Sequence, residues 1–151
     1  MPSFFDSMKS SLSQATSRLQ DDFARFKNKD VLDATIGACV IVAAADGEIT
    51  APEKQKLQGL VQNSALTKVY GVDQVIKTFK EHSDRFDFDA DVGRSEALRI
   101  IGKQRGNPEI ARSIVRGAVV IAKSDGSFDA SEKAAIGVIC RELGLDPAEF
   151  V

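Results

Sequence analysis

Two acidic segments of the chain share a spacing that suits the binding of a hard cation. The first, Ala45-Asp46-Gly47-Glu48-Ile49-Thr50-Ala51-Pro52-Glu53-Lys54, returns as Ser124-Asp125-Gly126-Ser127-Phe128-Asp129-Ala130-Ser131-Glu132-Lys133, an offset of 79 residues. Asp, Gly, an apolar residue, Ala, Glu and Lys hold the same places in both. Each copy sets an Asp-Gly turn against a Glu further along the chain, so both are carboxylate-bearing loops. Oxygen-only ligands favour Ca²⁺, Mg²⁺ or Mn²⁺ over Zn²⁺ or Cu²⁺.

The register resembles the second half of an EF-hand calcium loop, which puts Ca²⁺ first among these ions. Asp46, Gly47, Ile49 and Glu53 fall on its central acidic, glycine, apolar and final Glu positions, as do Asp125, Gly126, Phe128 and Glu132. The first half is missing, because the two opening ligand positions hold Val42 and Ala44 in one copy and Ile121 and Lys123 in the other. Ca²⁺ takes about six to eight oxygens, so one loop alone binds weakly. A strong site needs Asp46, Glu53, Asp125 and Glu132 to converge, with Asp129 and Thr50 nearby. A purely structural reading stands beside this one. Asp-Gly makes turns, and Thr50-x-x-Glu53 and Asp129-x-x-Glu132 are capping-box patterns that start helices.

Other chemistries find little support. Cys39 and Cys140 each lie inside an apolar segment and form no Cys-x-x-Cys pair, so buried, reduced thiols are expected. His82 is the sole histidine. That excludes the usual Cys/His zinc sites and leaves no nearby partners for a catalytic triad. No catalysis is expected. Asp84, Asp87, Asp89 and Asp91 crowd one junction, either as helix-terminal charges favoured by the backbone dipole or as an acidic docking surface.

The elements that position these residues read as helices throughout. Phe4, Phe5, Met8, Leu12, Ala15, Leu19, Phe23 and Phe26 recur every three to four residues, an apolar stripe on a helix over about 4–26. Its polar face mixes Lys9, Arg18, Arg25 and Lys27 with Asp6, Asp21 and Asp22, unlike the basic face of a membrane-surface helix. The segments 31–45 and 110–122 are apolar almost all round, so both should be buried helices. Each runs into an Asp-Gly turn and then a second helix, over 51–62 and 130–143. The repeated unit is therefore helix, four-residue turn, helix, at about 28–61 and 107–140, and two such hairpins could pack about a pseudo-twofold axis. Between them lie a short helix over 64–69 ending at Gly71, a helix from Asp73 as cap to about Arg85, and a helix over about 89–103. No period-two strand occurs. We expect one all-α domain over 1–151, a compact bundle of about seven to eight helices.

Bulk properties narrow the partners. A 151-residue chain is long enough to bury roughly 70% of its unfolded surface, so it needs no metal merely to fold. Twenty Lys plus Arg against 22 Asp plus Glu give no basic surplus, which argues against nucleic acid. The longest apolar run, 38–45, is far short of the roughly 20 residues needed to span a bilayer, and no signal peptide is evident. A cytoplasmic protein is expected.

Several segments together resemble one family. Ser3-Phe-Phe-Asp6, Arg25-Phe-Lys-Asn-Lys29, Asp46-Gly47 with Glu53-Lys-Gln-Lys56, Phe86-Asp-Phe-Asp89, Ala122-Lys-Ser-Asp-Gly126 and Asp146-Pro-Ala-Glu-Phe150 are similar to the TerB family of tellurite-resistance proteins. The similarity spans nearly the whole chain. It implies a compact all-helical domain with internal pseudo-symmetry, a stress-response role in resistance to tellurite and phage, and an acidic metal site. Carried onto this sequence, those metal positions are Asp46, Glu53, Asp125, Asp129 and Glu132, with Asp87 and Asp89 as a second acidic group. Thr50 stands where the second copy has Asp129, which makes the first loop the poorer ligand donor. The resemblance also implies association with a TerC-type membrane protein at the inner face of the inner membrane. A divalent-cation-binding adaptor or sensor is the expected function, and a metal-free interaction domain with an acidic docking face is the alternative.

Overall fold

A computed structural model of the chain describes residues 17–47, 49–124 and 128–151. Within these the chain is helical and forms no strand. Its helices are α1, described over 17–25, α2 (Lys29–Ala43), α3 (Ala51–Gln62), α4 (Ala65–Tyr70), α5 (Val72–Phe88), α6 (Ala90–Gly102), α7 (Pro108–Lys123) and α8 (Ala130–Leu143). A 3₁₀ turn over Pro147–Glu149 follows. The expected all-α bundle is what the chain forms.

α2 is the axis of the bundle. Every residue from Val31 to Val42 except Asp33 is buried, and α3, α5, α6, α7 and α8 all pack on it. A helix apolar on all sides is stable only when surrounded, and each fully buried Val, Leu or Ile contributes about 1.5 to 3 kcal/mol. Asn28 opens α2, its side chain accepting the Asp30 N–H at 2.7 Å. The Tyr70 hydroxyl, at the end of α4, donates to the Asn28 carbonyl at 3.1 Å and fixes the entry of α2.

Close approach of neighbouring helices depends on small residues. Gly117 of α7 faces Thr35 and Phe23, which a Cβ there would meet at 3.1 and 3.2 Å. Gly93 of α6 lies against Phe86, and a Cβ would fall 2.7 Å from its ring and 2.8 Å from its backbone nitrogen. α8 ends at Gly144, whose φ of 75° admits the left-handed turn that returns the Leu145 N–H to the Cys140 carbonyl at 2.8 Å.

Both helix–turn–helix units form, as α2–α3 and α7–α8, but their connections are longer than the expected four residues. They occupy 44–50 and 124–129, because Thr50 and Asp129 take extended backbone to cap the second helices. Two other boundaries differ from expectation. α5 begins at Val72, two residues earlier than an Asp73 cap allows, because Gly71 (φ 87°) supplies the reversal. It runs on to Phe88, so the junction with α6 is the single residue Asp89. Asn107 precedes α7 as expected but makes no side-chain cap bond. Residues 4–16 of the predicted N-terminal helix lie outside the described residues; its last turns, with Leu19 and Phe23 buried, pack on the core.

Candidate functional site

The first loop starts where α2 leaves the core. The Ala44 N–H bonds the Val40 carbonyl, the Gly47 N–H bonds the Ala44 carbonyl, and Gly47 reverses the chain at φ 114°, a region that glycine enters without the steric cost of a side chain. Thr50 then caps α3. Its Oγ1 accepts the Glu53 N–H at 3.3 Å and donates to Glu53 Oε1 at 2.8 Å. The Glu53 carboxylate is thus held by the Thr50 hydroxyl, and the predicted reciprocal box to the Thr50 amide is replaced by this side-chain bond. The second loop forms the full box. Asp129 Oδ1 accepts the Glu132 N–H at 2.8 Å, and Glu132 Oε1 accepts the Asp129 N–H at 3.2 Å.

Side chains from both loops line one depression of about 250 Å³. Asp46 and Glu53 come from the first loop, Asp129 and Glu132 from the second, and the buried Cys39, Leu57 and Ile121 supply apolar lining. Asp46, Glu53 and Asp129 are exposed and Glu132 is half-buried. Lys56 adds an ammonium to the same depression. Four of the five predicted acidic residues therefore share one concavity, and the fifth, Asp125, lies outside the described residues. Their donor chemistry suits a hard cation. Among the described residues, however, no three acidic, His or Cys side chains are grouped closely enough to hold one ion. The described carboxylates by themselves do not make a coordination cage.

The second acidic group is engaged elsewhere. Asp87 forms an ion pair with Lys54, tying α5 to the first turn of α3, and Asp89 Oδ1 caps α6 by accepting the Val92 N–H at 3.0 Å. Neither lines the depression. The two thiols are poor nucleophiles: burial pushes Cys39 up to about 12 and Cys140 up to about 11.

One polar contact escapes the sequence pattern. His82 is completely buried, and its Nε2 lies 2.6 Å from Asp33 Oδ1. The two residues are far apart in sequence and no motif joins them. The available signal is Asp33 itself, a carboxylate in an otherwise buried helix that requires a partner.

Comparison with known proteins shows the family to which the chain belongs. The family model described as Tellurite resistance protein TerB matches residues 32–151. A protein named Tellurium resistance protein TerB, from Alcaligenes sp, is 32% identical over 114 residues, covering 76% of this chain and 93% of that protein. No solved structure matches the chain. The matched region takes in the second helix–turn–helix unit, nearly all of the first and the depression between their loops, and the chain belongs to the TerB family of tellurite-resistance proteins.

Proposed function

We propose that this protein serves tellurite resistance without catalysis, as a divalent-cation-binding adaptor or sensor. The observation that supports this reading is the shared depression, where Asp46 and Glu53 of one loop and Asp129 and Glu132 of the other line the same space. A hard cation needs oxygens from both loops, since each carries only the second half of a calcium loop. Ca²⁺ is the first choice, then Mg²⁺ or Mn²⁺. Asp125 and water would complete the shell, and Glu53 and Glu132 would turn from their capping partners toward the ion. The cation-dependent surface would dock a TerC-type membrane protein, which places this chain at the inner face of the inner membrane through its partner.

The test is a melt series on chelated protein with added Ca²⁺, Mg²⁺ and Mn²⁺. A cation at 100 times its dissociation constant should stabilise the fold by about 2.7 kcal/mol. Asp46→Ala combined with Asp125→Ala should abolish uptake in calorimetry. No stabilisation by any of the three ions, or unchanged uptake in the double variant, refutes the reading.

A metal-free docking domain is the second reading, and one observation favours it. Phe88 is 84% exposed between Asp87 and Asp89, with Val92 at 50% close by in sequence. An exposed aromatic among carboxylates suits a partner that brings apolar and basic groups together.

A further inference from the structure

Phe88 stands where a helix start gives an apolar side chain a structural task, and another residue has taken that task. It is the last residue of α5 and directly precedes Asp89, the cap of α6. An apolar residue in that place ordinarily packs on the fourth residue of the helix, the hydrophobic staple that fixes the entry of the chain. In α6 the fourth residue is Gly93, and the ring of Phe86 already covers it, 2.7 Å from where a Cβ would stand. Phe86 packs on the core. Phe88 is left 84% exposed, with Val92 on the first turn of α6 at 50%. Full burial of a Phe side chain is worth about 1.5 to 3 kcal/mol, and the fold takes little of it from Phe88.

The charge around this pair is of one sign. Residues 84–92 hold four carboxylates against one arginine, so this segment alone carries more negative charge than the net −2 of the whole chain. Asp89 caps α6 and Asp91 lies in its first turn, where the backbone dipole favours anions. Asp84 and Asp87 sit near the end of α5, where the dipole opposes them. Asp87 is held by Lys54, whereas Asp84 and Asp91 make no ion pair among the described residues. We infer that Phe88 and Val92 form the apolar centre of a protein-docking surface whose partner is a helical segment carrying Leu or Phe flanked by Lys and Arg. This rests on the docking reading and deepens it by naming the contact and the chemistry of its partner. The partner's apolar side chain covers Phe88, and its basic groups answer Asp84 and Asp91 at the rim, the usual division of an interface into anchor and rim. Among the described residues there is no strand edge to which an extended peptide could add. Side chains must therefore carry the contact, and a helix presents an apolar residue and its charged neighbours on one face at spacings of three and four. Anionic lipid and nucleic acid carry the sign of this surface and are repelled by it.

A synthetic helical peptide of about four turns, with Leu and Phe on one side and Lys and Arg flanking them, is the probe. It is titrated into the isotope-labelled full-length chain in the presence of chelator. The signals of Phe88 and Val92 should shift most, and binding should weaken as salt is raised. Phe88→Ser should weaken binding about tenfold or more, and a peptide with Glu in place of Lys and Arg should not bind. Because Phe88 is exposed, Phe88→Ser should leave Tm unchanged, which separates lost binding from lost fold. Binding that Phe88→Ser leaves intact, shifts confined to the acidic depression, or no binding at all overturns the proposal. So do shifts of Phe88 that follow the concentration of the protein alone, since the partner is then a second copy, and Phe88 signals lost on anionic vesicles but not moved by the peptide. The melts with added cations decide between the two functional readings, while this titration, run without free cations, decides the Phe88 contact, so either can fail without the other.

Discussion

His82 Nε2 meets Asp33 Oδ1 at 2.6 Å, joining α5 to α2 at the one position where the buried run of α2 carries a carboxylate. The imidazole is wholly enclosed, with its Cε1 3.0 Å from where a Cβ on Gly37 would stand. The bond from His82 holds the Asp33 carboxyl below the usual range. Burial opposes this, and the charges of His82, Arg85 and Lys29 assist it.

That contact predicts a pH dependence. A carboxyl whose folded value is depressed contributes stability above its unfolded value, about 3.9, and loses it as pH falls through the folded value. Asp33→Asn should therefore cost about 1 to 3 kcal/mol at pH 7, read from urea denaturation. The gap between the two proteins should start to close below about pH 4. An equal gap at pH 7 and pH 3 would assign the cost to packing alone.

Capping and cation binding separate at the loops. Asp129 takes part in the capping box of α8, so Asp129→Ala should cost about 1 kcal/mol in chelated protein, and more where a cation is bound. Asp46 caps nothing and is exposed, so Asp46→Ala should change the melt of chelated protein by less than about 0.5 kcal/mol. Its effect should instead be loss of the cation-induced rise in Tm. If Asp46→Ala keeps the full rise, Asp46 is no ligand.

The fold was legible because its main signals are local. Largely apolar segments became α2 and α7, although α7, expected to be apolar almost all round, carries Arg112 and the exposed Arg116 and is buried on one side only, and Asp129-x-x-Glu132 became a capping box. The site was half legible. Repeat spacing brings Asp46, Glu53, Asp129 and Glu132 to one depression, yet nothing in that spacing says that Glu53 bonds the Thr50 hydroxyl or that Lys56 joins them. Contacts made by distant helices left little trace in the pattern beyond the lone carboxylate of Asp33 in the buried run of α2. Lys54 with Asp87 and His82 with Asp33 exist only once α2, α3 and α5 have packed.

Two glycines should respond oppositely to the same change. In Gly93→Ala the new methyl would meet the Phe86 ring at 2.7 Å and its backbone nitrogen at 2.8 Å. Rigid backbone cannot yield as a flexible side chain does, so overpacking should cost about 1 to 3 kcal/mol. Gly59, inside α3, has no atom of the described residues within 4 Å of its Cβ position. Gly59→Ala should stabilise by about 0.5 to 1 kcal/mol through helix propensity. Thermal melts of both variants check the pair, and a destabilised Gly59→Ala would show that something occupies the space beside α3.

The thiols decide whether tellurite chemistry passes through this protein. Attack on an electrophile needs thiolate, and with its pKa pushed up to about 12 Cys39 has about one part in ten thousand ionised at pH 8. Cys39 and Cys140 are 2% and 0% exposed, so access limits reaction further. Both should resist a thiol reagent at pH 8 in the native protein and react together on unfolding, at a rate that follows urea concentration. A strain carrying the Cys39→Ala, Cys140→Ala protein should keep its resistance, since both sulfurs are buried. Rapid labelling of either thiol in the folded chain, together with loss of resistance in that strain, would instead make the depression a thiol site, because Cys39 lies in its lining.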